Sequence, residues 1–376
     1  MSQEYKTIIS LMSGTSIDEI DAICVKIFED MSFEIIGSNS IEYPAEVKEK
    51  IFEAVENRAA TADICLLNFV LGELYAEAVL ELQKKLRIPK YDIDFVVTHG
   101  QTVWHQPQKT TLGGISTGAT LQLGDISVIS ERTGIMTIGD FRPKDIAAGG
   151  QGAPLVPFAD ELIFGREQRR GILNIGGIAN ITVLSPDVDS FAFDIGAGNM
   201  LIDYFARKLF NLPYDKNGDL AAKGNIDEQL LRFMMQLEYY GEKPPKSTGR
   251  ELFGAEYAEE VYKHALKIPL NIMATVTAQC AYSVFDAYEK FIKPLTELDE
   301  IVIGGGGAYN LTLIKYLKKL MPDIKFSTHE DYKIGNKEKE ALAFAYLGYM
   351  AYQNKCNNMP AATGANYGVS MGKISY

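Results

Sequence analysis

The sequence has few cysteines, and they form no pattern. The four cysteines, at positions 24, 65, 280 and 356, are widely spaced and include no CxxC pair, which is typical of reduced thiols in a cytosolic protein. The first ten residues include Glu4 and Lys6 and lack the three regions of a signal peptide. No apolar run reaches the length of a membrane span. We therefore expect a cytoplasmic protein without a membrane segment.

The sequence is also short of positive charge. Lys and Arg total 37 against 49 Asp and Glu, a net charge of −12. Nucleic-acid affinity comes mainly from basic surface, so we expect no nucleic-acid partner. A local basic pocket for a small anion stays compatible with these numbers.

Several common catalytic motifs are missing. The sequence contains no GxxxxGK[ST] loop and no GxGxxG after the first predicted strand. One GxSxG string lies at residues 368–372, without the following helix and His that a nucleophile elbow requires. We interpret that string as a chance match.

What the sequence does contain is an alternation of strand-like and helical patterns. Its 376 residues are too many for one ordinary core, and the alternation predicts α/β layers. We place a boundary near residue 165, which gives domains 1–165 and 166–376. The last helix, predicted over residues 340–354, could pack on the first domain.

Two strand–glycine-turn–strand units open the two halves of the chain. Strands predicted over 7–13 and 20–28 flank a turn with Gly14, and strands over 172–175 and 178–184 flank Gly176 and Gly177. Glycine turns let backbone N–H groups approach phosphate oxygens, because no Cβ intervenes. The first turn adds further candidate groups: hydroxyl donors at Ser13, Thr15 and Ser16, and carboxylates at Asp18 and Asp21 that suit Mg²⁺.

A run of four glycines follows a third strand. Gly304, Gly305, Gly306 and Gly307 come directly after the strand predicted over residues 300–303. Such a run has little structural purpose, and it permits a flat base or a phosphate to lie against the backbone. Together with the two hairpins it predicts a phosphate-binding protein.

Asp194 is the candidate general base. It ends a predicted strand, FAFD, and faces a glycine loop that leads to a helix predicted from Asn199. The alternative is an Asp that caps this helix, but several residues, two of them glycines, separate the two. We favour a carboxylate that points into a cleft. The basic loop at residues 246–250 is either a phosphate or substrate contact or a turn before a helix.

Further polar residues lie near a Gly- and Pro-rich stretch. Residues 141–157 predict a long, functional loop. Arg142 within it either grips a phosphate or carboxylate with two donors or forms an ion pair with Asp140 or Asp145. His99 near a strand end, with Gln101 and Thr102, is either a substrate contact or a structural histidine.

The motifs and their order resemble the 1,6-anhydro-N-acetylmuramic acid kinase family. The resemblance covers nearly the whole chain and is carried by MSGTSIDEID (12–21), THGQTVWHQP (98–107), QLGD (122–125), GDFRPKDIAAGGQGAPLVP (139–157), NIGGIANIT (174–182), FDIGAGNMLID (193–203), KSTGREL (246–252) and IGGGGAYN (303–310).

This resemblance implies an α/β fold of the actin-like/hexokinase/Hsp70 ATPase superfamily, with two RNase H-like lobes around an ATP cleft. It implies a kinase that uses ATP and Mg²⁺. Water opens the 1,6-anhydro bridge of the sugar, and the freed O6 takes the γ-phosphoryl group to give N-acetylmuramic acid 6-phosphate, a step of cell-wall recycling. A homodimer is a further expectation from the family.

The resemblance also implies roles for residues. Asp194 matches the base, Asp18 the magnesium ligand, and Arg142 suits the lactyl carboxylate of the sugar. The sugar-side positions are His99, Gln101, Thr102, Arg142 and Glu340. The nucleotide-side positions are Ser13, Gly14, Thr15, Ser16, Ile17, Asp18, Glu19, Ile20, Asp21, Gly176, Gly177 and Gly304 to Gly307.

The chain departs from the family pattern at three positions. Glu19 replaces a glycine in the first turn, where its side chain could crowd the turn or add negative charge, and Ile195 and Ala197 lie beside the proposed base. Three alternatives stay open at this point. They are a kinase for another amino or anhydro sugar, an actin- or Hsp70-like ATPase, and a sugar-binding protein without activity. Actin- and Hsp70-like ATPases usually have an Asp before the glycine of each phosphate hairpin, where this chain has Met12 and Asn174.

Overall fold

The computed structural model describes residues 4–14, 17–335 and 337–376. The chain divides into two compact units. Unit 1 comprises Met1–Phe164 with Lys337–Tyr376, and unit 2 comprises Gly165–Asn336.

The strands and helices alternate along much of the chain. The strands are β1 (Tyr5–Ser13), β2 (Glu19–Phe28), β3 (Phe33–Glu42), β4 (Phe95–Thr98), β5 (Gln101–Leu112), β6 (Ile115–Leu123), β7 (Thr137–Gly139), β8 (Arg170–Ile175), β9 (Ile178–Leu184), β10 (Phe191–Ala197), β11 (Glu300–Gly304), β12 (Lys325–Thr328) and β13 (Lys373–Ser375). The helices are α1 (Ala45–Val55), α2 (Thr61–Leu86), α3 (Ile126–Thr133), α4 (Arg142–Ala147), α5 (Val156–Phe164), α6 (Asn199–Phe210), α7 (Glu228–Met234), α8 (Arg250–Phe253), α9 (Ala255–His264), α10 (Pro269–Ala287), α11 (Leu311–Leu320), α12 (Glu338–Tyr352) and α13 (Pro360–Thr363).

The sheet of unit 1 has the order β3-β2-β1-β4-β7-β13 in the part of the chain that the structure describes. Strands β1, β2 and β3 form an antiparallel meander, while β4 runs parallel to β1 and β7 parallel to β4. The long helix α2 covers one face of this sheet, because Leu71, Tyr75, Val79 and Leu82 recur at helical spacing and are all buried.

Unit 2 repeats this arrangement. Its sheet has the order β10-β9-β8-β11-β12. Strands β8, β9 and β10 form an antiparallel meander, while β11 runs parallel to β8 and β12 parallel to β11. The predicted α/β fold with two RNase H-like lobes is confirmed by this shared strand order and direction.

Two local expectations were wrong. Residues 141–157 are not one loop, because α4 occupies Arg142–Ala147 and α5 begins at Val156. Pro143 at the start of α4 suits the first turn of a helix, where no N–H partner is needed. Strand β10 does not end at Asp194, since it continues to Ala197 through an irregularity in its pairing with β9.

A separate two-stranded hairpin is formed by β5 and β6, of which the sequence predicts only a short strand over residues 121–123. Its two-residue turn is Gly113–Gly114, with φ of 59° and 80°. Positive φ at both central residues is what a type I′ hairpin turn requires.

Among the described residues, no helix combines the length and the apolar character needed to cross a bilayer.

Candidate active site

In both units several of the predicted site residues lie at the carboxyl ends of parallel strands. In unit 1, Gly14 follows β1, His99 follows β4 and Arg142 follows β7. In unit 2, Gly176 follows β8, and Gly304 ends the neighbouring strand β11. Ligands of open α/β sheets bind beyond this end of the strands.

The first glycine turn is linked to the predicted sugar-side segment. The Gln101 side chain donates from Nε2 to the Gly14 carbonyl at 3.4 Å. The Ser13 hydroxyl is buried, donates to the Gly100 carbonyl at 3.2 Å and shares a hydrogen bond with Tyr75 at 2.8 Å. Ser13 therefore uses its hydroxyl inside the fold. Thr15 and Ser16 lie outside the described residues.

Beyond these two positions the turn is strained and its charges are partly balanced. Ile17 is buried and has a φ of 58°, which is unusual for a β-branched residue. Asp18 is exposed. The Glu19 carboxylate forms an ion pair with Lys337, so the negative charge that replaces the family glycine has a cation beside it.

Two further residues of this segment belong to β2. Ile20 is fully buried. Asp21 accepts a hydrogen bond from the Ser40 hydroxyl at 2.6 Å, and burial raises the pKa of its carboxyl. Ile20 therefore contributes packing, and Asp21 a partly desolvated carboxylate next to the turn.

Arg142 joins two segments of unit 1. It donates from Nε to His99 Nε2 at 3.0 Å and from one terminal nitrogen to the Gly152 carbonyl at 2.8 Å. Burial lowers the pKa of Arg142 to about 10, although Glu340 and Asp145 oppose this effect. Arg142 is thus charged at neutral pH and contacts neither of the carboxylates named as alternative partners: Asp140 pairs with Lys373, and Asp145 binds other donors.

His99 and His105 are both held in the neutral form. Burial, and then the charge of Arg142, lower the pKa of His99 to about 3 and that of His105 to about 4. His99 accepts from Arg142 through Nε2, which assigns the proton of the neutral ring to Nδ1. His105 shares a hydrogen bond with the Thr120 hydroxyl at 3.0 Å, and Thr102 accepts one from Gln122 at 3.2 Å.

Asp145 organises the segment that Arg142 contacts. Its carboxylate is fully buried and accepts hydrogen bonds from the Gly152 N–H at 2.7 Å, the Asn358 amide at 2.7 Å and the Thr363 hydroxyl at 2.8 Å. The carbonyl that Arg142 binds is therefore fixed by the neighbouring N–H of the same glycine.

Glu340 lies in the first turn of α12. Its side chain keeps contact with solvent, yet the loss of hydration from the surrounding protein raises the pKa of its carboxyl, and Asp21 adds to this. Lys339 and Arg142 act in the opposite direction. In unit 1 the charge of Arg142 therefore acts on the pKa of His99, of His105 and of Glu340.

Asp194 lies at an irregularity of β10. The register with β9 shifts between Asp194 and Gly196, and Gly196 has a φ of 154° with the Tyr240 ring packed against it. Bulges of this kind re-aim side chains next to active sites. Helix α6 has Gly198 at its N-cap and no side-chain cap, so Asp194 does not cap it.

The carboxylate of Asp194 is only partly satisfied. It accepts a hydrogen bond from the Thr248 N–H at 3.0 Å. Burial raises the pKa of Asp194 to about 6 and Glu251 adds to the effect, while Thr248 and Lys246 oppose it. A carboxylate with a pKa near neutrality can take up a proton during a reaction.

The second glycine turn lies against the start of α6. The Gly198 N–H donates to the Gly177 carbonyl at 2.9 Å, and the Asn199 N–H donates to the Gly176 carbonyl at 2.7 Å. A Cβ at Gly176 would meet nothing closer than 3.7 Å. The first N–H groups of α6 are therefore bound by the carbonyls of this turn, and the open space lies beside Gly176 itself.

The run of four glycines has structural reasons that sequence reasoning missed. A Cβ at Gly304 would collide with the His329 ring, and one at Gly307 with Ile175. Gly305 has a φ of 75°. Gly306 is the least crowded of the four, since its Cβ would meet one atom, Asn199 Nδ2, at 3.2 Å. Close packing against the backbone therefore accounts for most of this run, and the stretch is not a flat platform.

Two groups of functional interest escaped sequence reasoning. Asp145 stood in a recognised motif but was weighed only as an ion-pair partner. Residues 246–248 were weighed as a substrate contact or a turn, whereas they contact Asp194 directly.

Among the described residues, no group of three His, Cys, Asp or Glu side chains could hold a metal ion.

Comparison with known proteins decides the family. The sequence model of the anhydro-N-acetylmuramic acid kinases matches residues 6–376. The anhydro-N-acetylmuramic acid kinase of Caldanaerobacter subterraneus is 43% identical, over 100% of this chain and 98% of that protein. The one of Clostridioides difficile is 40% identical, over 98% of this chain and 97% of that protein. This chain belongs to the anhydro-N-acetylmuramic acid kinase family.

Membership of the anhydro-N-acetylmuramic acid kinase family confirms the resemblance drawn from the motifs. Among solved structures, the (R)-2-hydroxyglutaryl-CoA dehydratase component A of Acidaminococcus fermentans aligns with 90% of this chain and 96% of that chain, at 13% identity and a TM-score of 0.45. The family assignment rests on the sequence relatives.

Proposed function

We propose that this protein is an ATP-dependent kinase that opens the 1,6-anhydro ring of 1,6-anhydro-N-acetylmuramic acid and phosphorylates O6. The products are N-acetylmuramic acid 6-phosphate and ADP, and the setting is cytoplasmic cell-wall recycling. The observation that carries the proposal is the family match over residues 6–376.

The proposed reaction has two displacements, each of which forms one bond and breaks another. Water attacks the anomeric carbon, its proton passes to Asp194, and the bond from that carbon to O6 breaks. O6 then attacks the γ-phosphorus, and the bond to the leaving ADP breaks. The raised pKa of Asp194, about 6, supports its role as the proton acceptor.

The other predicted residues are assigned to binding. Backbone N–H groups at Gly14, Gly176 and Gly177 are proposed to hold phosphate oxygens, as the open space at the second turn supports. Arg142 is proposed to bind the lactyl carboxylate, and His99, Gln101, Thr102 and Glu340 to surround the sugar. Mg²⁺ would be held by the phosphates together with Asp18, since it commonly uses one carboxylate and substrate oxygens.

The test is a coupled ADP-release assay with four acceptors. They are 1,6-anhydro-N-acetylmuramic acid, N-acetylmuramic acid, N-acetylglucosamine and glucosamine. We expect turnover with the anhydro sugar and little with the others. A chain that phosphorylates only the unbridged N-acetylmuramic acid would contradict the coupled ring opening, and turnover with another sugar alone would identify a different sugar kinase.

Isotope labelling sharpens this test. In H₂¹⁸O the product should carry one ¹⁸O at the anomeric position and none in its phosphate, because water enters the sugar and O6 stays in the phosphate ester. Unlabelled product incubated in H₂¹⁸O measures spontaneous exchange at the anomeric carbon. Label in the phosphate would contradict the proposed route.

The Asp194→Asn variant tests the base directly. We expect it to fold and bind ATP but to lose nearly all turnover, because the amide accepts no proton from water. The Asp203→Asn variant is a matched control, since Asp203 is also half-buried with a pKa raised to about 6, chiefly by burial. Near-normal turnover of Asp194→Asn would remove Asp194 from this role.

A further inference from the structure

Asp194 is held at three points by one segment of unit 2, residues 239–248. Its backbone N–H donates to the Lys246 carbonyl at 3.0 Å, and its own carbonyl accepts from the Tyr239 hydroxyl at 2.7 Å. Its carboxylate accepts from the Thr248 N–H at 3.0 Å. The orientation of the carboxylate therefore depends on where this segment lies.

Lys246 ties the two ends of that segment together. Its ammonium group donates to the Tyr239 carbonyl at 2.8 Å. It also lies 4.4 Å from the centre of the Tyr239 ring and 5.0 Å from that of Phe291, distances that suit cation–π attraction. The half-buried Lys246 side chain is thus fixed between aromatic rings next to the residues that hold Asp194.

We propose that Lys246 is a positioning residue for Asp194: its ammonium group holds the 239–248 segment against the base and supplies positive charge that favours the ionised carboxylate. The inference rests on the proposed base role of Asp194. Lys246 touches Tyr239 and not the carboxylate itself, so it acts through the segment and through its field.

The charges around Asp194 and Lys246 define the pH range in which Lys246 can support the ionised carboxylate of Asp194. Lys246 lowers the pKa of Asp194, whereas Glu251 raises it. Burial lowers the pKa of Lys246 to about 8, with Lys290 acting in the same direction and Glu242, Asp286 and Asp194 opposing. Between about pH 6 and about pH 8 both groups are ionised.

The experiment measures kcat/KM for the anhydro sugar against pH at saturating ATP and Mg²⁺. In Lys246→Met we expect the acidic limb to move to higher pH by roughly half a unit or more, with kcat lowered on the order of tenfold and the KM for ATP unchanged. Lys246→Arg should restore the acidic limb and move the alkaline limb above that of the wild type, because guanidinium stays charged.

A matched control removes a neighbouring charge. Lys290 is exposed and pairs with Asp286 at 2.7 Å. It acts on the pKa of Lys246, not on that of Asp194, so Lys290→Met should keep the wild-type acidic limb and shift only the alkaline limb, towards higher pH. If Lys246→Met does not fold, Lys246→Gln replaces it, since the amide keeps a donor towards Tyr239 without the charge.

A second readout does not depend on turnover. Carboxyl ¹³C NMR, assigned with Asp194→Asn, gives the pKa of Asp194 in each variant, and we expect it to be higher in Lys246→Met than in the wild type. An unchanged pKa of Asp194 together with an unchanged acidic limb in folded Lys246→Met would overturn the inference. A wild-type chain without kinase activity would instead overturn the proposed function, while the NMR titration would still report on Lys246.

Discussion

At the scale of single residues, the pKa of Asp194 leads to a pH dependence. Burial raises this pKa to about 6, and a base works only when deprotonated, which is the state above the pKa. We therefore expect kcat/KM for the anhydro sugar to fall about tenfold per pH unit below pH 6. Stopped assays from about pH 4.5 to about pH 7.5 measure the limb, and a midpoint near 4, the ordinary value for Asp, would contradict it.

For Asp194, the sequence reveals the side chain itself but not the groups that hold it. Asp194 and the glycines were found because a carboxylate beside glycine turns has a recognisable pattern. Two of the three groups that hold Asp194 are a backbone carbonyl and a backbone N–H of residues about 50 positions away, at Lys246 and Thr248. Backbone groups are the same in every residue, so only the folded chain identifies which of them bind a side chain.

At the scale of elements, Asp145 connects α4 to the segment that ends at Gly152. We expect Asp145→Asn to destabilise the protein by about 2–4 kcal/mol, because one of its oxygens becomes a donor facing other donors. Loosening of the Gly152 carbonyl that Arg142 binds should also raise the KM for the sugar more than the KM for ATP. Urea unfolding and initial rates measure the two effects.

The control for this prediction is Lys144→Gln, an exposed neighbour on the same helix. It should change neither stability nor KM. An Asp145→Asn variant with wild-type stability would show that the buried carboxylate does not hold the segment.

Glu300 at the start of β11 predicts an acid-sensitive element. Burial alone would raise its pKa, but hydrogen bonds from Lys325, Ser327, Tyr332 and Arg170 lower it to about 2. A pKa depressed by folding contributes stability above the unfolded value and loses it as pH falls. This contribution should therefore disappear between about pH 4.5 and about pH 2.

The variant Glu300→Gln measures this contribution. We expect it to be about 3 kcal/mol less stable than the wild type at pH 6, with the difference shrinking towards pH 2.5. Urea unfolding followed by circular dichroism gives both values, with the exposed Glu297→Gln as control. A difference that is independent of pH would contradict the assignment.

Elements were predictable where their pattern was regular. The sequence patterns predict a helix over residues 199–210 and a strand over residues 178–184, which are the bounds of α6 and β9, because their apolar spacing is clear. Of the hairpin β5–β6 the sequence predicts only a short strand over residues 121–123, since its outer residues are mostly polar and exposed and show no apolar alternation. Its one strong signal is the Gly113–Gly114 pair, which is typical of a two-residue hairpin turn.

At the scale of the whole molecule, the chain leaves unit 1 after Phe164 and returns to it at Lys337. Helix α12 then covers the sheet of unit 1: Phe344 packs on His99 and Phe141, and Tyr352 stacks on Phe95. Lys339 forms a buried ion pair with Asp160 of α5 at 2.6 Å. The first 164 residues therefore do not complete their own core.

This predicts the effect of deleting residues 337–376. Leu342, Phe344, Tyr346 and Leu347 of α12 are almost fully buried, and each such side chain contributes about 1.5–3 kcal/mol. Their sum, roughly 6–12 kcal/mol, equals the net stability of an ordinary domain, and the deletion also removes the ion pair between Lys339 and Asp160. We expect unit 1 of the shortened chain not to fold.

Trp104 makes the outcome measurable, because it is the single tryptophan of the sequence and lies in unit 1. Its fluorescence should show no cooperative urea transition in the shortened chain, and limited proteolysis should degrade residues 1–164 first. Deletion of Tyr376 alone is the control, since this residue is 93% exposed, and it should leave the transition unchanged. A wild-type transition in the chain without residues 337–376 would mean that α12 covers a sheet that is stable without it.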